Sequence, residues 1–501
     1  MAVNDLHPDY STFLEDWITM RDCYRGQRQV KEKKYLYLPA TSGMVEDGLA
    51  GGNSEGSVAY KAYLTRAYFP DIIAEAVEAM IGVMHHKPPV IELPESMEPL
   101  REKATRKNES LEMLLRRINE EQLITGRLGL LADLPPSVPA GEQPIPYLAM
   151  YVAETVLNWD AGRVDGLEVQ SLNLVALDET EYERQADFSW EEVTKTRVLV
   201  LGDPLTNEAD GTALYAQAVF REDADFDPSK LVEPSIRGNK LEEIPFVFIN
   251  SKDVVPTPDD PPNIGLANLA LAIYRGEADY RQNLFMQGQD TLVTMGLGAD
   301  MEDEKLRVGA GGRVDLQQGG DAKFIGVSST GLPEQRQSLE NDYSRASSKG
   351  GQLLDSVSRE KESGDALKVR VAARTATLNQ IALAGAFGLQ DLLRKVAVWM
   401  GADPQQVIVT PNLDFISDSF NPADLNQMMT AKVSGAPLSL ESIHAWLKEK
   451  DMTVLEFEEE MQRIEEEEPL GGTTADPDLL PDDDDDGNVN DNEDEDDPDQ
   501  E

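Results

Sequence analysis

Apolar residues recur at helical spacing along much of the chain. Within residues 10–38, Tyr10, Phe13, Leu14, Trp17, Ile18 and Tyr24 predict a helix, which runs into YRGQRQVKEKKYLYLP, the one markedly basic segment. Residues 43–57 are rich in Gly and Ser and read as a mobile loop. The stretch AYKAYLTRAYFPDIIAEAVEAMIGVMHHKPPVIELP then places Tyr63, Leu64, Ala67 and Tyr68, followed by Ile72, Ile73, Ala76, Val77, Met80, Ile81 and Met84, on helical stripes. Two helices follow, separated at Pro70 and stopped by Pro88 and Pro89. Residues 108–128 predict another helix, capped by Asn108 or Ser110, and LGLLADLPP a short strand after it.

From residue 144 to residue 251 the period shortens to two. PYLAMYVAETVLNWD, LEVQSLNLVALDE, TKTRVLVLGD, TALYAQAVFRED and EEIPFVFINS alternate between apolar and polar positions and are parted by turn residues, which predicts an antiparallel β subdomain. PTPDDPP, residues 256–262, reads as a hinge. A helix of about 39 Å is expected over residues 264–289 at 1.5 Å per residue. Its C-terminal half carries only Tyr280, Leu284 and Phe285 as large apolar residues, so it should pack sideways against other subunits. Residues 291–327 hold short strand-like pieces among glycines, and 332–354 form a second polar helix. DSVSREKESGD interrupts helicity at 355–365 before an Ala-rich helix in which Gly385 and Gly388 are kink sites. VIVTPNLDF is a strand, and two or three helices follow over residues 422–463, with Ser439 and Ser442 as cap candidates.

The 501 residues exceed what one core usually supports, so several domains or one elaborated subunit are expected. Against 45 basic residues stand 93 acidic ones, a net charge of −48. That balance excludes a broad basic grip on nucleic acid, which needs Lys and Arg to neutralise phosphates. It does not exclude a protein that surrounds DNA without holding it. Residues 476–501 carry fifteen of the acids and no Lys or Arg; taking that −15 from −48 leaves −33 on residues 1–475. The last segment has too few apolar residues to offset the entropy of ordering and is expected to be a disordered tail. With a single cysteine, Cys23, no internal disulfide can form, and a reducing, intracellular setting is expected. No apolar run has the roughly 18 residues of a membrane span, and the first residues lack a signal-peptide layout, so neither secretion nor embedding is expected.

Chemical motifs are sparse. GAGG at 309–312 lacks the Lys and Ser/Thr of a phosphate-binding loop and reads as a turn. His85 and His86 are adjacent and point apart on a helix, so they read as a helix C-terminus rather than a metal pair. His7 and His444 are isolated, and Cys23 reads as core. Arg359 and Lys361, with Lys368, Arg370 and Arg374 beyond them, have two readings. One is a phosphate contact on a loop; the other is a solvated loop in which Glu360 and Glu362 pair with the cations, and composition alone favours the second. No metal ligand set, cofactor motif or catalytic constellation is expected.

The order of these elements resembles the portal proteins of tailed bacteriophages, in particular a portal family catalogued as a domain of unknown function. The resemblance is carried by DCYRGQRQVKEKKYLYLP, the two-helix stretch ending HHKPPVIELP, LITGRLGLLADLP, LANLALAIYRGEADYRQNLFMQGQDTLVTMG, ESGDALKVRVAARTATL, NLDF and PLSLESIHAWLKEK, in order over nearly all of residues 20–463. It implies an α+β, mainly helical portal fold with wing, stem, clip and crown, assembled as a ring that is usually a homododecamer. It places an N-terminal wing region at 1–262, the first stem helix at 263–290, the clip at 291–327 and the second stem helix at 328–354. The tunnel loop then falls at 355–365, with Arg359 and Lys361 as DNA-contacting residues and Ser363 and Gly364 as the loop-to-helix motif. A long helix and return strand of the wing occupy 366–420 and the crown 421–466, leaving 467–501 as the acidic tail.

The implied role is a non-enzymatic DNA channel at a capsid vertex for packaging, retention and ejection of the genome. An acidic lumen would let a duplex slide rather than stick. Implied partners are the large terminase ATPase, a head-tail adaptor, the major capsid and scaffolding proteins and double-stranded DNA, with no membrane. The expected location is the virion, after assembly in the host cytoplasm. Two alternatives remain from the residues themselves: an acidic scaffold or DNA-mimic interaction protein acting through its tail, and an enzyme with dispersed catalytic residues.

Overall fold

A computed structural model describes residues 3–49, 54–135, 144–164, 167–202, 213–221, 225–236, 238–287, 291–295, 318–325, 331–351, 364–415, 422–449, 452–453 and 455–466. The chain divides into two units, residues 1–415 and residues 416–501.

In the first unit the opening helix is shorter than its stripe suggests. Helix α1 (Pro8–Arg25) stops at Gly26, and α2 (Gln27–Glu32) starts directly after it. Gly26 has φ 80°, a conformation that L side chains resist, so the helix ends there despite apolar residues on both sides. Part of the stretch expected to be loop is also helical: α3 (Ser42–Glu46) is capped by Thr41, and α4 (Glu55–Arg66) by Ser54, which accepts from Ser57 N–H at 3.2 Å. Helix α5 (Ile72–Met84) buries Ile73, Ala76, Val77, Met80, Ile81 and Met84, the stripe read from the sequence, and Pro70 lies in the break before it. After β1 (Val90–Glu92) and the short α6 (Pro99–Glu102), α7 (Leu111–Ile124) is capped by Ser110, which accepts from Met113 N–H at 3.2 Å. Asn108, the other cap candidate, instead turns the chain at φ 57°.

The alternating region builds two principal antiparallel sheets. The three-stranded sheet has the order β10-β2-β3, from β2 (Arg127–Asp133), β3 (Tyr147–Val152) and β10 (Phe246–Asn250). The four-stranded sheet has the order β4-β5-β8-β9, from β4 (Val156–Val164), β5 (Leu167–Asp178), β8 (Lys195–Leu201) and β9 (Tyr215–Arg221). A separate hairpin joins β6 (Glu181–Arg184) to β7 (Trp190–Val193). Strand β2 is buried at every position because both of its faces are covered. Leu128, Leu130 and Ala132 join a core with Leu114, Ile118 and Leu389, whereas Leu131 joins one with Trp17, Trp159, Phe248 and Trp399. At the start of β2, Arg127 is buried between the rings of Trp159 and Phe248, 4.3 and 4.1 Å from its guanidinium carbon, and burial lowers its pKa to about 9.

The proline-rich stretch expected to be a hinge is fastened. Asn250 Nδ2 donates to Asp253 Oδ1, Val255 O and Thr257 O, each at 2.9 Å. Asp259 Oδ2 accepts from Ser251 Oγ and Lys252 N–H, and Asn263 Nδ2 donates to Leu123 O at 3.0 Å. Then come α8 (Ile264–Gln287), β11 (Thr291–Met295) paired with β12 (Asp321–Ile325), α9 (Leu332–Gly351) and α10 (Gly364–Met400). Helix α10 runs unbroken through Gly385 and Gly388. Those glycines serve close approach: a Cβ at Gly385 would sit 2.5 Å from Asn119 Nδ2, and one at Gly388 would strike Ile249. Strand β13 (Ile408–Thr410) pairs antiparallel with β1, more than 300 residues earlier in the sequence.

In the second unit the described residues form α11 (Pro422–Val433), α12 (Leu440–Glu449) and α13 (Phe457–Glu466). Ser439 caps α12 by accepting from Ser442 N–H at 2.9 Å, and His444 meets Phe457 edge-on at 5.4 Å. The fold is α+β, with more residues in helices than in strands. Among the described residues no helix is long and apolar enough to cross a membrane.

Candidate functional site

Helices α8 and α9 form an antiparallel pair. Gly265 near the start of α8 lies by Lys349 near the end of α9, Gly276 faces Leu339, and Asn283 Nδ2 donates to Gln335 Oε1 at 3.1 Å. The helices close in at Gly276, where a Cβ would sit 3.0 Å from Leu339 Cδ2. Tyr343 Oη also donates to Glu277 Oε1 across the pair.

The two halves of α8 differ. Leu266, Ala267, Ala270, Leu271, Ile273, Tyr274 and Ala278 are buried in the first core, with residues of α1, α4 and α5. Beyond Ala278 the helix is held by side-chain contacts to α4. Tyr63 Oη donates to Asp279 Oδ1 at 2.6 Å, Arg66 bonds Gln282, and the Arg66 guanidinium lies 4.0 Å from the Phe285 ring centre. Leu284, Phe285 and Met286 are nonetheless 43, 42 and 43% exposed. Along α9, Leu339 and Ala346 are the buried side chains among the described residues. The β11–β12 pair lies between the two helices in sequence, with Thr291 opposite Ile325 and Met295 opposite Asp321.

Charge on this hairpin is balanced rather than acidic. Helix α8 carries Arg275 and Arg281 against Glu277 and Asp279, and α9 carries Arg336, Arg345 and Lys349 against Glu334, Glu340 and Asp342. Several pair within their own helix, as Arg281 does with Glu277 at 2.7 Å and Arg336 with Glu340 at 2.8 Å. Helix α10 has five cations, Lys368, Arg370, Arg374, Arg394 and Lys395, against Asp365 and Asp391. The −33 of residues 1–475 is therefore carried elsewhere, chiefly before residue 262 and after residue 415.

Of the sequence-predicted site residues, Gly364 opens α10, whereas Arg359, Lys361 and Ser363 lie outside the described residues, as does GAGG at 309–312. The adjacent histidines do diverge. His85 Nε2 lies 2.9 Å from Asn119 Oδ1 inside the protein, and His86 Nδ1 lies 3.0 Å from Asn412 Nδ2 at the surface. Burial lowers the His85 pKa below the ordinary imidazole value. From Asn119 a buried chain of bonds continues through Gln122 Oε1 at 2.8 Å, and Gln122 Nε2 donates to Asn250 O at 2.6 Å. Cys23 is fully buried, and burial pushes its thiol up to about 12. Among the described residues no group of three or more His, Cys, Asp or Glu is placed to hold a metal ion.

Residues 262–400, from the last residues before α8 to the end of α10, match a protein family described as a domain of unknown function, DUF4055. A search of curated proteins finds no match. Among solved structures, the chain is similar to one in the neck of the native gene transfer agent particle computed with C12 symmetry, at 13% identity and a TM-score of 0.36, covering 75% of this chain and 89% of that one. It is also similar to one in the neck of the empty particle computed with C6 symmetry, at 15% identity and a TM-score of 0.35, covering 81% and 94%. A third similarity is to a chain of the virion of the native gene transfer agent particle, at 13% identity and a TM-score of 0.36, covering 81% and 98%.

Proposed function

We propose that the chain is a portal subunit: it associates with copies of itself into a ring, usually of twelve, through which double-stranded DNA enters and leaves a viral capsid. The observation that carries this reading is the α8–α9 hairpin. It spans about 36 Å over the 24 residues of α8, and its outer half exposes Leu284, Phe285 and Met286 beside a largely uncovered α9. A lone subunit leaves that apolar surface in water; neighbours in a closed ring cover it. In this reading α8 and α9 are the stem, β11 and β12 belong to the clip, and α11–α13 belong to the crown. The stretch 355–365 is the tunnel loop, with Arg359 and Lys361 touching phosphates.

The charge distribution suits passage rather than grip. A balanced hairpin neither binds phosphate strongly nor makes transport steeply salt-dependent. Roughly twelve copies of a body carrying −33 bring about −400 to the assembly, which keeps it soluble and free of adventitious nucleic acid. The subunit needs no catalytic machinery of its own: a terminase ATPase supplies the work, a head-tail adaptor docks later, and capsid and scaffolding proteins surround the ring in the virion.

Light scattering of the purified chain, with and without residues 476–501, tests the reading against an acidic scaffold acting through its tail. Equal large masses for both support the ring. A small mass for both, or loss of assembly on removing the tail, contradicts it. Arg359→Ala with Lys361→Ala is expected to lower packaging while leaving the ring mass unchanged.

A further inference from the structure

A concentration of cations lies outside the hairpin, between the two sheets of the first unit. A cleft of about 1110 Å³ runs along β3 and is walled opposite by the ends of β5, β8 and β9. Arg106, Lys107, Lys195, Arg197, Arg221 and Lys230 line it, against Asp178, Glu179 and Glu181. Six cations to three anions is a reversal of sign in a chain of −48.

The cations are of two kinds. Arg197 is fixed by Asp133 at 3.0 Å and Glu179 at 2.7 Å, Lys195 by Glu181 and Glu183, and Arg221 by Glu183 at 3.3 Å. Arg106, Lys107 and Lys230 form no salt bridge with a carboxylate among the described residues, although Lys230 is close enough to Asp227 to help hold that carboxyl below its usual value. Arg106 leans over the Tyr147 ring at 5.2 Å and Lys230 over the Phe220 ring at 5.5 Å, contacts that orient them without neutralising them.

The floor of the cleft is a strand edge. Strand β3 is the outer strand of its sheet, paired with β2 on one side. The Leu148 amide turns away from β2 and donates to Ala104 O at 2.7 Å, and Ala132, its partner on β2, donates the other way to Pro245 O. By the alternation of an antiparallel ladder the Met150 and Val152 amides also face away from β2. Among the described residues neither meets a backbone acceptor there.

An open edge beside cations that no salt bridge holds is the chemistry of strand addition with carboxylate recognition. We propose that this cleft binds an extended acidic segment of a partner protein, which pairs along Met150–Val152 and sets its carboxylates against Arg106, Lys107 and Lys230. Apolar side chains of the alternate positions meet Met150 and Val219 on the lining. Residues 476–501 of the chain itself are acidic but carry only Leu479, Leu480 and Val489 as large apolar residues, so they lack that alternation. A nucleic acid has the charge but no backbone amides for a strand edge. The inference does not depend on the channel reading and survives its failure.

The probe is a fluorescent synthetic peptide of alternating Glu and Val, titrated by anisotropy into the full-length protein. Binding is expected to weaken about tenfold or more in a protein carrying Arg106→Glu, Lys107→Glu and Lys230→Glu, three exposed changes that leave the fold intact. It is expected to vanish when alternate peptide amides are methylated, and to be weak for the Gln-for-Glu peptide. Absence of binding, equal affinity for the triple variant, or equal affinity for the methylated peptide overturns the proposal. So does tighter binding of an oligothymidylate, or an affinity that rises about tenfold on deleting residues 476–501, which would make the tail the occupant.

Discussion

Gly385 offers a direct test of how α10 is seated. Glycine in a helix interior costs about 1 kcal/mol relative to alanine, so by propensity alone Gly385→Ala should stabilise the protein. The structure reverses the sign. A Cβ there would lie 2.5 Å from Asn119 Nδ2, 2.8 Å from Gln122 Oε1 and 3.3 Å from Ile118 Cγ2. None of these groups yields freely, because Asn119 and Gln122 are buried links in the chain of bonds from His85 to Asn250. Displacing them strands one or two buried amides at about 1–3 kcal/mol each, and overpacking adds about as much. After the propensity gain, the net loss is about 1–5 kcal/mol for one stranded amide and more for two. Gly82 provides the control: it sits inside α5 with nothing within 4 Å of the place an alanine methyl would take, so Gly82→Ala should gain up to about 1 kcal/mol. Urea unfolding followed by fluorescence of the buried Trp17, Trp159 and Trp399 reads both variants. If Gly385→Ala stabilised the protein as Gly82→Ala does, the close seating of α10 on α7 would be wrong.

Three further outcomes follow from one buried and two half-buried groups. Arg197→Met strips the bridging cation from Asp133 and Glu179 and should cost about 3 kcal/mol in urea unfolding, with Asp133 still held by Tyr147 and Gln217; an unchanged midpoint would contradict a buried network. Cys23 should react with an aromatic disulfide reagent slowly in the native protein and fast in urea, since its thiol is buried and raised to about 12; fast native labelling would place it at the surface. His85 has its pKa lowered by burial, so the unfolded chain takes up a proton first as pH falls. Stability should decline from just above pH 6.5 and level off below the folded value, and His85→Asn should flatten that slope; an identical slope in the variant would refute the assignment.

Local pattern carried much of the fold. The stripe from Ile73 to Met84 and the Pro70 break predict α5 and its neighbour because one apolar face and one missing N–H are properties of adjacent residues. Ser110 and Ser439 were readable as caps for the same reason. What escaped is nonlocal. The alternating segments announce antiparallel strands, but not that β10 leaves its sequence neighbours to pair with β2, or that β13 pairs with β1. Gly385 and Gly388 read as kinks because a sequence does not say what approaches a helix; here Asn119, Gln122 and Ile249 do.

Charge is nonlocal in the same way. The net charge of the chain does not say where the acids lie: α8 and α9 are each balanced, and the excess sits chiefly before residue 262 and after residue 415. The cationic cleft is not legible in the sequence because its residues come from several segments spread over residues 106–230, and Arg197 in an alternating strand looks like an ordinary outward-facing residue. Of the expected site residues, Gly364 is the first residue of α10, its role resting on the resemblance alone, as do those of Arg359, Lys361 and Ser363, which fall outside the described residues.

The central claim is that α8 and α9 find their missing cover in neighbouring copies around a channel. Negative-stain images of the purified full-length protein address it most directly. The account predicts top views of closed rings with a central hole, of one rotational symmetry near twelvefold. Monomers or irregular clusters under every assembly condition, or closed particles without a hole, would contradict it.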